Sequence, residues 1–156
     1  MKKQIPNPEF MLNSEQFSYL VDVFVLAAHP GKRYIFYNVD LDTTWSDQHG
    51  RKFSLDAEVL QEFERKLLAA RDDDCRKLLV KLSMKSQRRE GYRHAAALCI
   101  DFNESAIEFR NSNGDPLPDL VLSSLTKKLP NYHVLDVCFQ EQSDLSSCTF
   151  FVFKNL

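Results

Sequence analysis

The chain is short of the residues that interrupt regular structure, with only four glycines and six prolines among 156 residues. That scarcity, together with an apolar content of 44% and twelve phenylalanines, excludes a low-complexity or disordered chain. Phenylalanines at that density need a core to pack into, and the length suits one domain. No apolar run approaches the roughly 18 to 20 residues of a membrane span. The opening MKKQIPNPEF is polar and broken by proline, which is not the pattern of a secretory signal. Residues 1–10 are therefore read as an appended or disordered tail before a natural start at Met11, and 11–156 as a single domain without internal repeats.

Paired cysteines are also missing. Cys75, Cys99, Cys138 and Cys148 lie far apart, with no Cys-x-x-Cys and no His-x-x-x-His spacing, so neither a metal site nor a disulfide framework is expected. Reduced thiols favour an intracellular place of action. A formal net charge of −2 gives no global field for nucleic acid. The one basic run, KSQRREGYR from Lys85 to Arg93, reads as solvated surface, though its place just before His94 also suits an acidic partner or a phosphate-bearing cofactor.

Asn13 to Ala28 opens with an Asn-x-x-Gln capping box and sets Phe17, Leu20, Val21 and Phe24 on one face, which predicts a helix stopped by His29-Pro30-Gly31. Tyr34 to Asp40 is rich in aromatic and β-branched residues and predicts a strand. A polar segment around Trp45 leads to Ser54–Ala70, where Leu55, Val59, Phe63 and Leu67 recur every fourth residue as in an amphipathic helix. Asp72-Asp73-Asp74 followed by Cys75, Leu78, Leu79 and Leu82 predicts a second, consecutive helix. His94–Phe102 and Ala106–Ser112 read as a hairpin turning at Asn103-Glu104-Ser105. Leu117–Leu129 then reads as a helix and His133–Glu141 as a strand. The fold class is α+β: helices first, then a small mixed sheet with one helical crossover.

Three chemistry-bearing residues fall at the edges of these elements: His94 where a strand begins, Asn111 where its hairpin partner ends, and Cys148 after the last strand. A turn about residues 103 and 104 pairs positions whose numbers add to about 207, which brings Asn111 within reach of the His94 imidazole. Cys148 is expected to open a final, apolar helix, where the positive end of the backbone dipole and a nearby imidazolium favour the thiolate. Asn111 would orient the imidazole so that its other nitrogen faces sulfur. Gln142, six residues before the cysteine, would join its side-chain NH2 to the Cys148 backbone N–H in an oxyanion hole. His29, His49 and His133 lack such context, and Cys75, Cys99 and Cys138 read as core.

The order His, then Asp or Asn, then Gln-x5-Cys resembles that of the clan CE cysteine proteases, which include SUMO-specific proteases, the adenovirus protease and bacterial effector deubiquitinases. Over residues 92–156 the register is close: Ile100-Asp101, Ile107 and Phe109 stand where that family has Ile-Asp, Ile and an aromatic. Asn111-Ser112 stands for Asp-Ser, Gly114 for a following glycine, and Phe151 for the usual phenylalanine three residues after the nucleophile. Three positions depart, with Ala95 in place of tryptophan, Asn111 in place of aspartate and Thr149 in place of glycine. The family usually continues past the helix that the cysteine opens, so either a trimmed fold or a fragment truncated at its C-terminus is expected.

The resemblance implies a thiol peptidase or isopeptidase that removes ubiquitin or a ubiquitin-like modifier through Cys148, His94, Asn111 and Gln142, with no cofactor. It also implies a host protein as partner, should the chain be a secreted bacterial effector acting in host cytoplasm. Two other readings stand beside it. Clan-related effector acetyltransferases keep Cys and His but use acetyl-CoA and usually a glutamate, for which Glu108 is the one nearby residue, on the face opposite Phe109. A catalytically silent interaction module with the same fold is the other.

Overall fold

A computed structural model of the chain describes residues 14–27, 33–46, 50–86, 93–111 and 116–138. Helix α1 (Ser14–Val21) runs on into a π-helical turn at Asp22–Leu26. Then follow β1 (Tyr34–Ser46), β2 (Gly50–Ser54), α2 (Ala57–Asp72), β3 (Lys77–Ser86), β4 (Arg93–Asp101), β5 (Ala106–Asn111), α3 (Asp119–Lys128) and β6 (His133–Cys138). The strands form one six-stranded mixed sheet in the order β2-β1-β3-β4-β5-β6. Its centre is an antiparallel meander, β3-β4-β5. The parallel pairs β1/β3 and β5/β6 flank it, and β2 closes the other edge as the antiparallel partner of β1.

Parallel neighbours require crossovers, and α2 and α3 supply them. Both lie on one face of the sheet. Phe63, Leu67 and Ala70 of α2 and Val121 and Leu125 of α3 pack in one cluster with Val39, Leu41, Leu78, Val80, Leu82, Met84, Ala96, Leu98, Ile100, Ile107 and Phe109. The two helices are tied to each other by polar contacts as well: Ser124 Oγ donates to Glu64 Oε1 at 2.8 Å, and Lys128 lies 3.6 Å from the same carboxylate. Helix α2 starts at Ala57 rather than Ser54, because the Asp56 side chain accepts from the Glu58 N–H at 2.8 Å and caps it there.

The other face of the sheet receives α1. Phe17 is buried with its ring 5.5 Å from that of Phe36, and Val21 is buried beside it. Lys81, on β3, is only 5% exposed and sets its ammonium 4.5 Å from the Phe17 ring centroid, a cation–π geometry.

Two expectations are corrected. Lys77–Ser86 is a strand, not the second of two helices. The spacing of Leu78, Leu79 and Leu82 fits a helix, but Leu78, Leu79, Val80 and Leu82 are all buried, because a central strand is covered on both faces and so loses the simple polar alternation. Asp72-Asp73-Asp74 ends α2 instead of opening a helix. Asp73 and Cys75 donate back to the carbonyls of Ala69 and Ala70, and Asp74 takes a left-handed backbone with φ 57°. The segment around Trp45, expected to be a polar connection, belongs to β1, which runs on to Ser46 and pairs with β2.

The β4–β5 hairpin matches the expected register, since its partners, Leu98 with Phe109 and Asp101 with Ala106, have numbers that add to 207. Its turn is shaped by Asp101, whose Oδ1 accepts from the N–H groups of Asn103 and Glu104, each at 3.0 Å. Ser105 completes the turn at φ 51°.

Candidate active site

His94 is the second residue of β4 and Asn111 the last of β5. Alternation places His94 on the same face as Ala96, Leu98 and Ile100, and Asn111 on the face of Ile107 and Phe109; these are one face, the one that packs under α2 and α3. The hairpin register sets the two residues diagonally across adjacent strands. Both are buried, at 6% and 2% exposure, and His94 Nε2 lies 2.7 Å from Asn111 Oδ1.

A carbonyl oxygen only accepts, so Nε2 carries the hydrogen and donates it to Asn111, which leaves the lone pair of the neutral ring on Nδ1. On its other side along the sheet, His94 is the direct partner of Met84 on β3, and Met84 is the direct partner of Leu41 on β1. The imidazole thus stands between an apolar row and an amide. A ring so placed can exchange a proton at Nδ1 while Asn111 fixes its tautomer.

Glu108 lies on the opposite face and pairs with Arg110, so it is not the group that meets His94. That observation removes the structural support for a glutamate third member. Ala95, which stands where the clan has tryptophan, is buried on that opposite face beside Ser83. Cys148, Gln142, Thr149 and the helix expected to open at Cys148 lie outside the described residues.

The other thiols have a different character. Cys75 is buried and donates to the carbonyls of Arg33 and Lys77 at 3.0 and 3.1 Å, and burial pushes its thiol up. Cys99 lies on the face away from His94, and burial pushes its thiol up to about 11. In both, burial disfavours the thiolate, the form that acts as nucleophile. Cys138 is the register partner of Asn111 on β6. His133 is exposed, as its sequence context suggests. His29 and His49 lie outside the described residues, as does most of the basic run.

Two residues near the sheet have no sequence signal that would single them out: Lys81, a charge inside an apolar strand, and Asp136 on β6, whose Oδ2 accepts from the Leu117 N–H at 3.2 Å. Among the described residues no group of three or more His, Cys, Asp or Glu side chains is placed to hold a metal ion. No described helix is long and apolar enough to cross a membrane.

Neither a protein-family model nor a curated protein sequence matches the chain. Solved structures do. The C-terminal Ulp1 protease domain, solved in complex with Smt3, the yeast ortholog of SUMO, aligns with a TM-score of 0.60 at 13% identity, over 96% of this chain and 65% of that one. The SUMO protease Ulp1 with its catalytic cysteine oxidised to a sulfenic acid gives 0.59 at 14% identity, over 96% and 66%. The Legionella pneumophila effector protein RavZ gives 0.53 at 10% identity, over 95% of this chain and 54% of that one. The chain thus spans just under two thirds of the Ulp1 domain, and the alignment extends well ahead of His94, where the sequence offered no motif. Over nearly all of its length, hairpin with His94 and Asn111 included, the chain has a fold similar to that of the Ulp1 protease domain.

Proposed function

We propose that the chain is a thiol peptidase or isopeptidase that releases ubiquitin or a ubiquitin-like modifier by cleaving after the modifier's Gly-Gly end. The observation that carries the reading is the 2.7 Å bond between buried His94 and Asn111 on the fold of a SUMO protease. A tautomer held with hydrogen on Nε2 is the one that can accept a thiol proton at Nδ1.

In this mechanism Cys148 Sγ adds to the carbonyl carbon at the end of the modifier while its proton passes to His94 Nδ1. The carbonyl oxygen becomes an oxyanion, held by the Cys148 backbone N–H and the Gln142 side-chain NH2. As the tetrahedral species collapses, the C–N bond breaks and His94 returns the proton to the leaving amine, so that a thioester remains on Cys148. Water, deprotonated by the same imidazole, then hydrolyses the thioester and frees the modifier and the thiol. The part of Asn111 is to hold the ring.

The likeness to a bacterial effector supports a site of action inside a host cell, on a host conjugate. The test is covalent capture. Ubiquitin and SUMO carrying a vinyl-type electrophile at the C-terminus are incubated with the protein, and mass spectrometry reads the adduct. Labelling of Cys148, abolished in Cys148→Ala and strongly reduced in His94→Ala, is the expected result. A folded protein that no modifier probe labels would end this reading.

A further inference from the structure

We infer that Met84 is a positioning residue for His94: it walls the imidazole on the β3 side and so keeps the ring turned to Asn111 with its hydrogen on Nε2. The catalytic consequence rests on the peptidase reading, whereas the geometry does not.

Nothing in the apolar run KLLVKLSM singles out its methionine. The ladder does. Met84 is the direct antiparallel partner of His94, with Ser83 paired to Ala95 on one side and Lys85 to Arg93 on the other. Directly opposed residues of an antiparallel pair share a face, with Cβ atoms roughly 4.5 to 5.5 Å apart. Here that face is the one under α2 and α3, where Met84 packs with Leu82, Ala96 and Leu98. Because β4 runs between β3 and β5, the imidazole has Met84 on one side and Asn111 Oδ1, at 2.7 Å, on the other.

A neutral imidazole can leave its acceptor by turning about its side-chain bonds, but only into space. Along β4 the next residue on this face is Ala96, whose methyl reaches less far than the Met84 side chain. Met84 is itself backed: it is 1% exposed, and its direct partner on β1, Leu41, is equally buried. Leu41, Met84 and His94 thus form a packed row across three adjacent strands. The thioether adds a second quality. Its sulfur is only a weak acceptor, so Met84 confines the ring without offering a hydrogen bond that competes with Asn111. Glutamine at the same place would be close in length but would offer both a donor and an acceptor.

The experiment compares Met84→Ala, Met84→Gln and Met84→Leu with the unaltered protein. Two readouts are taken: the imidazole tautomer of His94 in the free protein by long-range 1H–15N correlation, and turnover of a modifier fused to a fluorogenic amine. Met84→Ala opens space beside the ring, and Met84→Gln sets a competing partner there. Each is expected to turn the single Nε2–H signature into a mixture of tautomers and to lower kcat roughly 10- to 100-fold with KM little changed, as a misplaced catalytic group does. Met84→Leu, apolar and close in volume, should restore both. The inference is overturned by retention of the Nε2–H signature in a folded Met84→Ala or Met84→Gln protein, by its loss in Met84→Leu, or by a mixture already present in the unaltered protein. Should neither Met84→Ala nor Met84→Gln fold, nuclear Overhauser contacts in the unaltered protein decide: cross-peaks between the Met84 methyl and the His94 ring protons are expected, and their absence overturns the proposal. The magnetic-resonance readouts need no substrate, so a protein that turns over no modifier ends the peptidase reading and leaves them standing.

Discussion

Asn111 gives His94 an orienting acceptor without a negative charge, and that difference is measurable. Asn111→Asp would place a carboxylate at the same 2.7 Å and stabilise the imidazolium. If neutral His94 is the working base, the acid limb of the kcat/KM profile should then move up by roughly one pH unit or more. Asn111→Ala should cost about 1 to 3 kcal/mol of stability, because it strands a buried imidazole N–H, and this is readable by urea unfolding. Cys99 allows a second pH prediction with the opposite sense. Its folded thiol sits near 11 against an ordinary value of 9.0, so the folded chain keeps a proton that the unfolded chain releases. Its contribution is intact below pH 9 and is lost as pH rises toward 11, by about 3 kcal/mol at most. Cys99→Ser, whose hydroxyl does not titrate in this range, should flatten that alkaline decline in a denaturation series.

Among the elements, the hairpin was the most legible in the sequence and β3 the least. The β4–β5 pair announces itself through alternation and a polar turn, and the turn alone sets the register that brings His94 to Asn111. Asp101→Ala, which removes the acceptor for two turn N–H groups, should destabilise the protein by about 1 to 2 kcal/mol in urea. β3 misleads because a strand buried on both faces reads as an unbroken apolar run, and KLLVKLSM also satisfies helical spacing. Aspartates before it suggested a helix start, but the same residues stop one when the backbone turns left-handed at Asp74. Trp45 reads as part of a connection because its neighbours are polar, and only the β1/β2 pairing reveals a strand. The His94–Asn111 pair could be read from order and spacing; the bond from the Leu117 N–H to Asp136 could not, since it depends on a parallel neighbour brought in by α3.

At the scale of the whole molecule, α2 and α3 bury one face of the sheet and α1 lies against the other through Phe17. Leu98 sits at the middle of the buried face, so Leu98→Ala should remove about 2 to 5 kcal/mol and lower the urea midpoint without changing the slope. The arrangement of the strands bears also on the order in which the molecule assembles. β3, β4 and β5 follow one another in sequence and pair with their nearest neighbours, while β1 and β6 must wait for helical crossovers before they find parallel partners. Contacts that close short loops form at the least entropic cost. His94 and Asn111 therefore belong to a hairpin that closes locally, and their juxtaposition should precede the docking of β1 and β6 onto the meander rather than follow it.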